Sequence, residues 1–313
     1  VAARRDLLKQ ATRIGGIVLF IGLIVYFTAA RPDSFPTWAN AKAILQSMAI
    51  LVVLGAGLTA VLAIGEFDLS FASTIGLSGA TCVLSMVKLG WPMGLSILAA
   101  IVVGLLVGVV NGLAVAYGKA PAFIITLAVG SVATGLEQLM SGDNVVPGLS
   151  NTFVNLTQGD TLGVPRAALI ALVVLILAYV GMEYTTFGRR LRAIGSNRRA
   201  AELAGLPVAR ERVLAFVICG GLAGVGGVIL MSEAAQYYPD SGSGYLLTPY
   251  TAAFLGAAAV GLGRFGVLST LFGVAFIGVL QTGLTMLGQP AWQVQVIEGA
   301  VLAIAVLLAR QIR

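Results

Sequence analysis

Residues 213–232 read Val-Leu-Ala-Phe-Val-Ile-Cys-Gly-Gly-Leu-Ala-Gly-Val-Gly-Gly-Val-Ile-Leu-Met-Ser, a run without a single charge. Arg210, Glu211 and Arg212 precede it and Glu233 follows it. A bilayer core about 30 Å thick is crossed by roughly 20 apolar residues in a helix, so the run reads as a membrane span. Its centre, Gly220 to Gly227, is not a phosphate loop. No Gly-x-x-x-x-Gly-Lys-Ser/Thr occurs anywhere, which excludes a P-loop ATPase in this chain. Small residues in an apolar run let helix backbones approach closely within lipid.

Outward from that run, the rest of the chain follows the same pattern. It has 313 residues, 58% hydrophobic and 10% charged, where a soluble domain carries about a quarter charged residues. The mean hydropathy is +0.97. Apolar runs ending at Gly, Pro or charge clusters predict spans at 14–30, 42–64, 71–87, 93–116, 120–140, 166–185, 213–232, 249–262, 267–287 and 291–309. The expected fold is an all-α polytopic membrane protein of about ten spans, a single domain over residues 1–313. The runs at 71–87 and 249–262 are short and read as tilted or broken helices, tolerated where packed in protein or lining a cavity. The basic Arg4–Arg13 segment leads into a full span rather than a cleavable signal peptide. Cys82 and Cys219 lie within apolar runs as small buried thiols and supply no disulfide framework or zinc site. Histidine, the commonest metal ligand and general base, is absent.

Charge sets the topology. With a cytoplasmic N-terminus, the inside holds Arg4, Arg5, Lys9, Arg13, Lys119, Arg189, Arg190, Arg192, Arg198, Arg199, Arg210, Arg212, Arg264, Arg310 and Arg313. The outside holds only Arg31, Lys42, Lys88 and Arg166. Such asymmetry is the positive-inside pattern, with both termini cytoplasmic. The net charge of +6 therefore reads as topology and not as nucleic-acid binding. Five spans repeated once would give two inverted halves, a common transporter plan. Gly94–Gly112 and Gly266–Gly283 share a faint Gly-rich pattern in the fourth span of each half.

The longest inside loop, 186–212, carries seven arginines. Ser196-Asn197 is placed to N-cap a short helix from Arg198. Ala200, Ala201, Glu202, Leu203 and Ala204 suit that helix, Gly205 stops it and Pro207 prevents continuation. One reading is a solvated basic loop that only fixes orientation. The other is a docking knob for a cytoplasmic partner, since so short a helix does not persist without packing.

The stretch Gly188-Arg189-Arg190-Leu191-Arg192-Ala193-Ile194-Gly195-Ser196-Asn197-Arg198-Arg199-Ala200-Ala201-Glu202-Leu203-Ala204-Gly205-Leu206 resembles the cytoplasmic loop of permease subunits in ribose-type ABC sugar importers, within the branched-chain amino acid/monosaccharide permease superfamily. Lys119-Ala120-Pro121-Ala122-Phe123-Ile124-Ile125-Thr126-Leu127 looks like that family's basic-x-Pro-x-Phe-Ile-x-Thr-Leu span start. Gly65-Glu66-Phe67-Asp68-Leu69-Ser70 is similar to its Gly-Gly-Ile-Asp-Leu-Ser motif. Gly242-Ser243-Gly244-Tyr245 and Ala252-Ala253-Phe254-Leu255-Gly256 match a late Gly-x-Gly-Tyr, Ala-Ala-x-x-Leu-Gly pattern. The departures are Glu66 for a frequent Gly, Phe71-Ala72 for Val-Gly, and the stretch 257–263, which lacks the usual Gly-Gly-Thr-Ser. They bear on the substrate more than on the function.

The resemblance implies a multi-pass bacterial inner-membrane permease that imports a monosaccharide or related polyol. It binds no cofactor itself. ATP and Mg sit on partner ATP-binding subunits, a second permease completes the pore, and a substrate-binding protein delivers the sugar. Asn197, Arg198, Ala200, Ala201, Glu202, Gly205, Leu206 and Pro207 then form the ATPase-coupling segment.

Polar groups at membrane depth each need a reason. Glu66 and Asp68 read as a substrate contact, a proton site or a clamp, and Asp68 also as a cap for the helix that follows it. Asn111 and Gln281, mid-span in corresponding spans, join them as translocation-pathway candidates, against the bland reading of interhelical hydrogen bonds. Glu137, Gln138, Thr282, Gln293, Gln295 and Glu298 share that bland reading. Outside loops 141–165 and 233–248 offer Gln236, Tyr237, Tyr238 and Asp240 for docking a binding protein, or are simply solvated. A stand-alone secondary transporter or channel is the alternative function. An intramembrane enzyme lacks a nucleophile–base or metal constellation.

Overall fold

The protein, seen as a computed structural model, is described over residues 2–312, with side chains from 14 to 309. Arg4, Arg5, Lys9, Arg13, Arg310 and Arg313, all counted as inside charges, lie outside the side chains described. In chain order the elements are α1 (Ala2–Ala30), α2 (Trp38–Ala63), α3 (Ser70–Val87), α4 (Met93–Ala116), α5 (Ala122–Ser141) and α6 (Asn151–Gln158). A two-stranded hairpin, β1 (Asp160–Thr161) and β2 (Val164–Pro165), follows. The chain continues as α7 (Arg166–Glu183), α8 (Thr186–Ser196), α9 (Arg198–Leu203), α10 (Val208–Ala234), α11 (Thr248–Ala259), α12 (Val267–Met286) and α13 (Ala291–Ile312).

Among the described residues, 8 helices are long and apolar enough to cross a membrane: α2, α3, α4, α5, α7, α10, α12 and α13. A shorter apolar stretch, Ile14–Ala30, forms the end of α1. The run expected at 71–87 is one unbroken helix of 18 residues. The run at 249–262 behaves differently. Its helix α11 has 12 residues, about 18 Å at the α-helical rise, well short of a bilayer core. The chain then turns through Leu262 (φ 52) and Gly263 (φ 81) before α12 begins. Irregular backbone of this kind persists in a membrane protein only where protein or a cavity receives it.

The chain forms two compact units, Val1–Gly55 with Leu247–Arg313, and Ala56–Leu246. Helix α2 begins in the first and ends in the second. In the second unit α3 packs on α4, α5 and α10, and the most extensive contact is α4 on α10. That seam is built of glycine. A Cβ on Gly104 would collide with the Gly220 carbonyl, and one on Gly108 with the Phe216 carbonyl. The opposite face of α4 exposes Leu95, Leu98, Val102, Leu106, Val110 and Leu113, a stripe that suits lipid as its solvent.

The first unit repeats this arrangement with other helices. There α11 packs on α12 and α13, as α3 packs on α4 and α5. Helix α12 meets the first part of α2 through small residues, Gly278 against Met48 and Gly55 against Thr270. Helix α4 thus packs on α10, and α12 on α2.

Candidate coupling face

The segment after α7 is two helices rather than a loop with one short helix. Thr185 caps α8 by accepting from the Gly188 N–H at 3.5 Å. Gly188, Leu191 and Ile194 repeat every three residues and are buried, so one face of α8 is held by packing while its arginines stay outward. Gly195 closes the helix against the end of α2. Any Cβ there would collide with the Ala63 carbonyl. The 188/191/194 spacing was visible in the sequence, but three intervening arginines, Arg189, Arg190 and Arg192, masked it as a loop.

Helix α9 has the expected caps. The Asn197 side chain accepts from the Ala200 N–H at 3.0 Å. Gly205 lies at φ +75, a left-handed conformation that glycine adopts without steric cost, and the Leu206 N–H reaches back to the Ala201 carbonyl at 3.1 Å. Pro207 occupies the cap position before α10. Ala201 is turned inward, whereas Arg198, Arg199, Ala200 and Glu202 are exposed. Arg198 and Arg199 both bond Glu202, at 3.3 and 3.4 Å. Leu203 is 75% exposed. It was not among the expected coupling residues, yet it is the largest apolar side chain that α9 offers to a partner.

Ion pairs fasten this segment to the spans. Arg190 bonds Glu211 at 2.8 Å, and Arg192 bonds Glu183 at 2.8 Å. Arg212, with a side chain only 4% exposed, bonds Glu66. Arg198 lies 3.9 Å from the same Glu66 oxygen. Glu66, expected along the translocation pathway, therefore stands in the turn between α2 and α3 as the carboxylate that joins that turn to α9 and α10. The sequence could not show this because Glu66 and Arg212 are 146 residues apart.

The other pathway candidates fall in two places. Asp68 accepts from the Ser70 N–H at 2.9 Å and the Ser70 hydroxyl at 2.6 Å, a local turn just ahead of α3, whose cap position is Leu69 and not Asp68. Burial pushes its carboxyl above the ordinary value, against the pull of those two bonds. The Asn111 amide donates to the same hydroxyl at 2.6 Å. Asp68, Ser70 and Asn111 form one buried chain between α3 and α4, and the Leu69 N–H adds α5 by bonding Thr126 at 3.0 Å. Asn111 thus fulfils the interhelical hydrogen bond set against its pathway reading. In the first unit, Gln281 donates to Glu298 at 2.6 Å, and Thr248 donates to the other Glu298 oxygen at 3.0 Å.

At the far ends of these helices, Tyr237 does not fit the docking expectation. It is 0% exposed. It exchanges backbone bonds with Val146 at 2.9 and 3.0 Å, and its hydroxyl donates to Glu137 at 3.0 Å. The Asp240 N–H bonds the same Glu137 oxygen at 3.1 Å. Gln236 and Asp240 are exposed and Tyr238 half-buried. Nor is 141–165 simply a solvated loop. Its helix α6 is anchored by the Thr157 hydroxyl on Ser232 at 2.7 Å and by Ser232 on the Phe153 carbonyl at 2.7 Å.

Spans with a glycine seam and a braced basic segment define a multi-pass membrane protein of the permease class. Residues 40–306 match the family described as branched-chain amino acid transport system / permease component, and the chain belongs to that family. It is 34% identical over 296 residues to the ribose import permease protein RbsC of Bacillus subtilis, covering 93% of this chain and 92% of that one. The Escherichia coli K12 ribose import permease protein RbsC is 29% identical over the same shares of the two chains. The L-arabinose ABC transporter permease protein AraH of Azospirillum brasilense is 30% identical over 97% of this chain and 89% of its own. Among solved structures, PsaBC from Streptococcus pneumoniae in complex with Fab is similar at a TM-score of 0.45 and 16% identity, over 92% and 93% of the two chains.

Proposed function

We propose that this chain is the membrane-spanning subunit of an ATP-driven importer of a monosaccharide or related polyol in the bacterial inner membrane. Relatives named as ribose and L-arabinose permeases match over nearly their whole length, which supports the substrate class. ATP and Mg belong to partner ATP-binding subunits, a second permease completes the passage, and a substrate-binding protein supplies the sugar. The N- and C-termini face the cytoplasm with the arginine-rich segment 186–212. The two five-span halves are inverted repeats. An odd number of spans per half requires opposite orientations, and the matching packing order of α3, α4, α5 with α11, α12, α13 supports the repeat.

The observation that carries the reading is the bracing of α8 and α9. A loop that only fixed orientation would not need a buried helix face, a glycine pressed on the end of α2, and a shared carboxylate at Glu66. In the mechanism that follows, ATP-driven closure of the ATPase pair moves α9, whose exposed Leu203, Ala200 and Arg199 meet the partner. The displacement passes through Gly195 to α2 and through Glu66 and Arg212 to α10. The sugar is moved because the two resulting conformations hold it with different free energies. The permease makes and breaks no covalent bond. Gln281, Glu298 and Thr248 are the polar group proposed to meet sugar hydroxyls. Gln236, Tyr238 and Asp240 are the proposed docking residues for the binding protein.

The test is substrate-stimulated ATP hydrolysis by the assembled complex carrying Glu202→Arg or Gly205→Trp. Loss of stimulation in both, with the membrane subunit still folded, supports the reading. Transport by the purified permease alone in vesicles, unaffected by either change, would replace it with a secondary carrier.

A further inference from the structure

A cavity of about 360 Å³ opens beside the coupling segment, lined chiefly by Glu66, Lys119, Arg198 and Arg212 together with the Ala120–Ala122 turn. Three cations face one carboxylate there. Glu66 is engaged by Arg212 and approached by Arg198, while Lys119 has no ion pair among the described residues. Arg212 is 3% exposed, and its Nε and Nη1 have no protein acceptor. A buried guanidinium with donors to spare is costly unless an anion or another acceptor compensates it. Lys119 is held at φ 54, a conformation unfavourable for a lysine that persists only where its surroundings enforce it.

The position of the cavity identifies the anion. Its walls are the ends of membrane-spanning helices, with Val115 on α4 and Ala122 at the start of α5. Exposed aromatic residues neighbour those walls in sequence: Phe67 beside Glu66, Tyr117 at the end of α4 and Phe123 on the first turn of α5. Aromatic rings of this kind concentrate at headgroup depth, and basic pockets between membrane helices take anionic headgroups. Arginine pairs with phosphate through two parallel N–H bonds, and lysine adds a point charge. We propose that this cavity binds the phosphate of an anionic phospholipid headgroup and so ties the membrane surface to the foot of the coupling segment.

The experiment is native mass spectrometry of the assembled complex released from nanodiscs of equal parts phosphatidylcholine and phosphatidylglycerol. Wild type, Lys119→Ala/Arg198→Ala and the control Arg264→Ala are compared, with thermal midpoints taken on each. The expected result is selective retention of phosphatidylglycerol by wild type and control. In the double variant, retention falls by about thirtyfold, the loss implied by two basic residues at a membrane surface. Added inorganic phosphate should not displace the lipid. Displacement by phosphate would keep the anion site but overturn its lipid source. Retention unchanged in the double variant, or no preference over phosphatidylcholine, overturns the proposal. So does retention by the permease alone that disappears on assembly with the ATPase, since an acidic side chain of the partner then fills the cavity.

Discussion

Two carboxylates in the same unit, the part-exposed Glu66 and the buried Glu137, show how position decides what a carboxylate does. Glu137 is 1% exposed and is bound by neutral donors, the Tyr237 hydroxyl and the Asp240 N–H, which hold the segment after α10 against α5. Glu66 lies in a turn, is bound by Arg212, and has Arg198 of α9 just beyond hydrogen-bond reach. The first arrangement has a single satisfied geometry. The second pairs one carboxylate closely with Arg212 of α10 and loosely with Arg198 of α9 at 3.9 Å, so a displacement of α9 alters the looser pair first. One cluster is therefore built to hold, the other to be moved.

The comparison breaks most severely at Glu66. Glu66→Ala leaves Arg212 without its partner and should cost about 3 kcal/mol, the penalty of an uncompensated buried charge. Thermal unfolding in detergent and transport in vesicles should both report the loss. Tyr237→Phe removes one donor from buried Glu137 and should cost about 1–2 kcal/mol, lowering the thermal midpoint while ATPase stimulation survives in the folded fraction. Asn197→Ala removes the cap of α9 and is expected to cost about 1 kcal/mol. Because α9 is a surface element, the midpoint should scarcely move while stimulation falls several-fold. Arg198→Gln acts on an exposed pair, worth less than about 1 kcal/mol. It should leave stability unchanged and shift only the concentration of ATPase subunit needed for half-maximal assembly.

Most of the fold was legible because lipid imposes a simple rule. Apolar runs such as 93–116 and 267–287 became α4 and α12 with boundaries within a few residues. Of the two short runs expected to be tilted or broken, 249–262 gave the short α11 with positive φ just beyond it at Leu262 and Gly263, whereas 71–87 became the unbroken α3. The caps of α9 were legible for a similar reason, since Asn197 and Gly205 act within a few residues of themselves. What could not be read were contacts between distant segments. Glu66 with Arg212, Asn111 with Ser70 and Tyr237 with Val146 leave no local pattern. A polar residue inside an apolar run announces that it must be satisfied but not by whom. Hence Asn111 and Tyr237 drew functional readings and proved to be bonded inside the protein.

The most direct measurement compares substrate-stimulated ATP hydrolysis by the assembled complex in wild type, Gly195→Val and Tyr237→Phe, with thermal midpoints taken alongside. Valine at 195 must push α8 away from the Ala63 carbonyl. The account predicts that Gly195→Val, although the clash lowers its midpoint by an amount comparable to that of Tyr237→Phe, loses stimulation in the folded fraction with basal hydrolysis intact, while Tyr237→Phe lowers the midpoint and keeps stimulation. Full stimulation in Gly195→Val, with loss of stimulation in folded Tyr237→Phe, would contradict it.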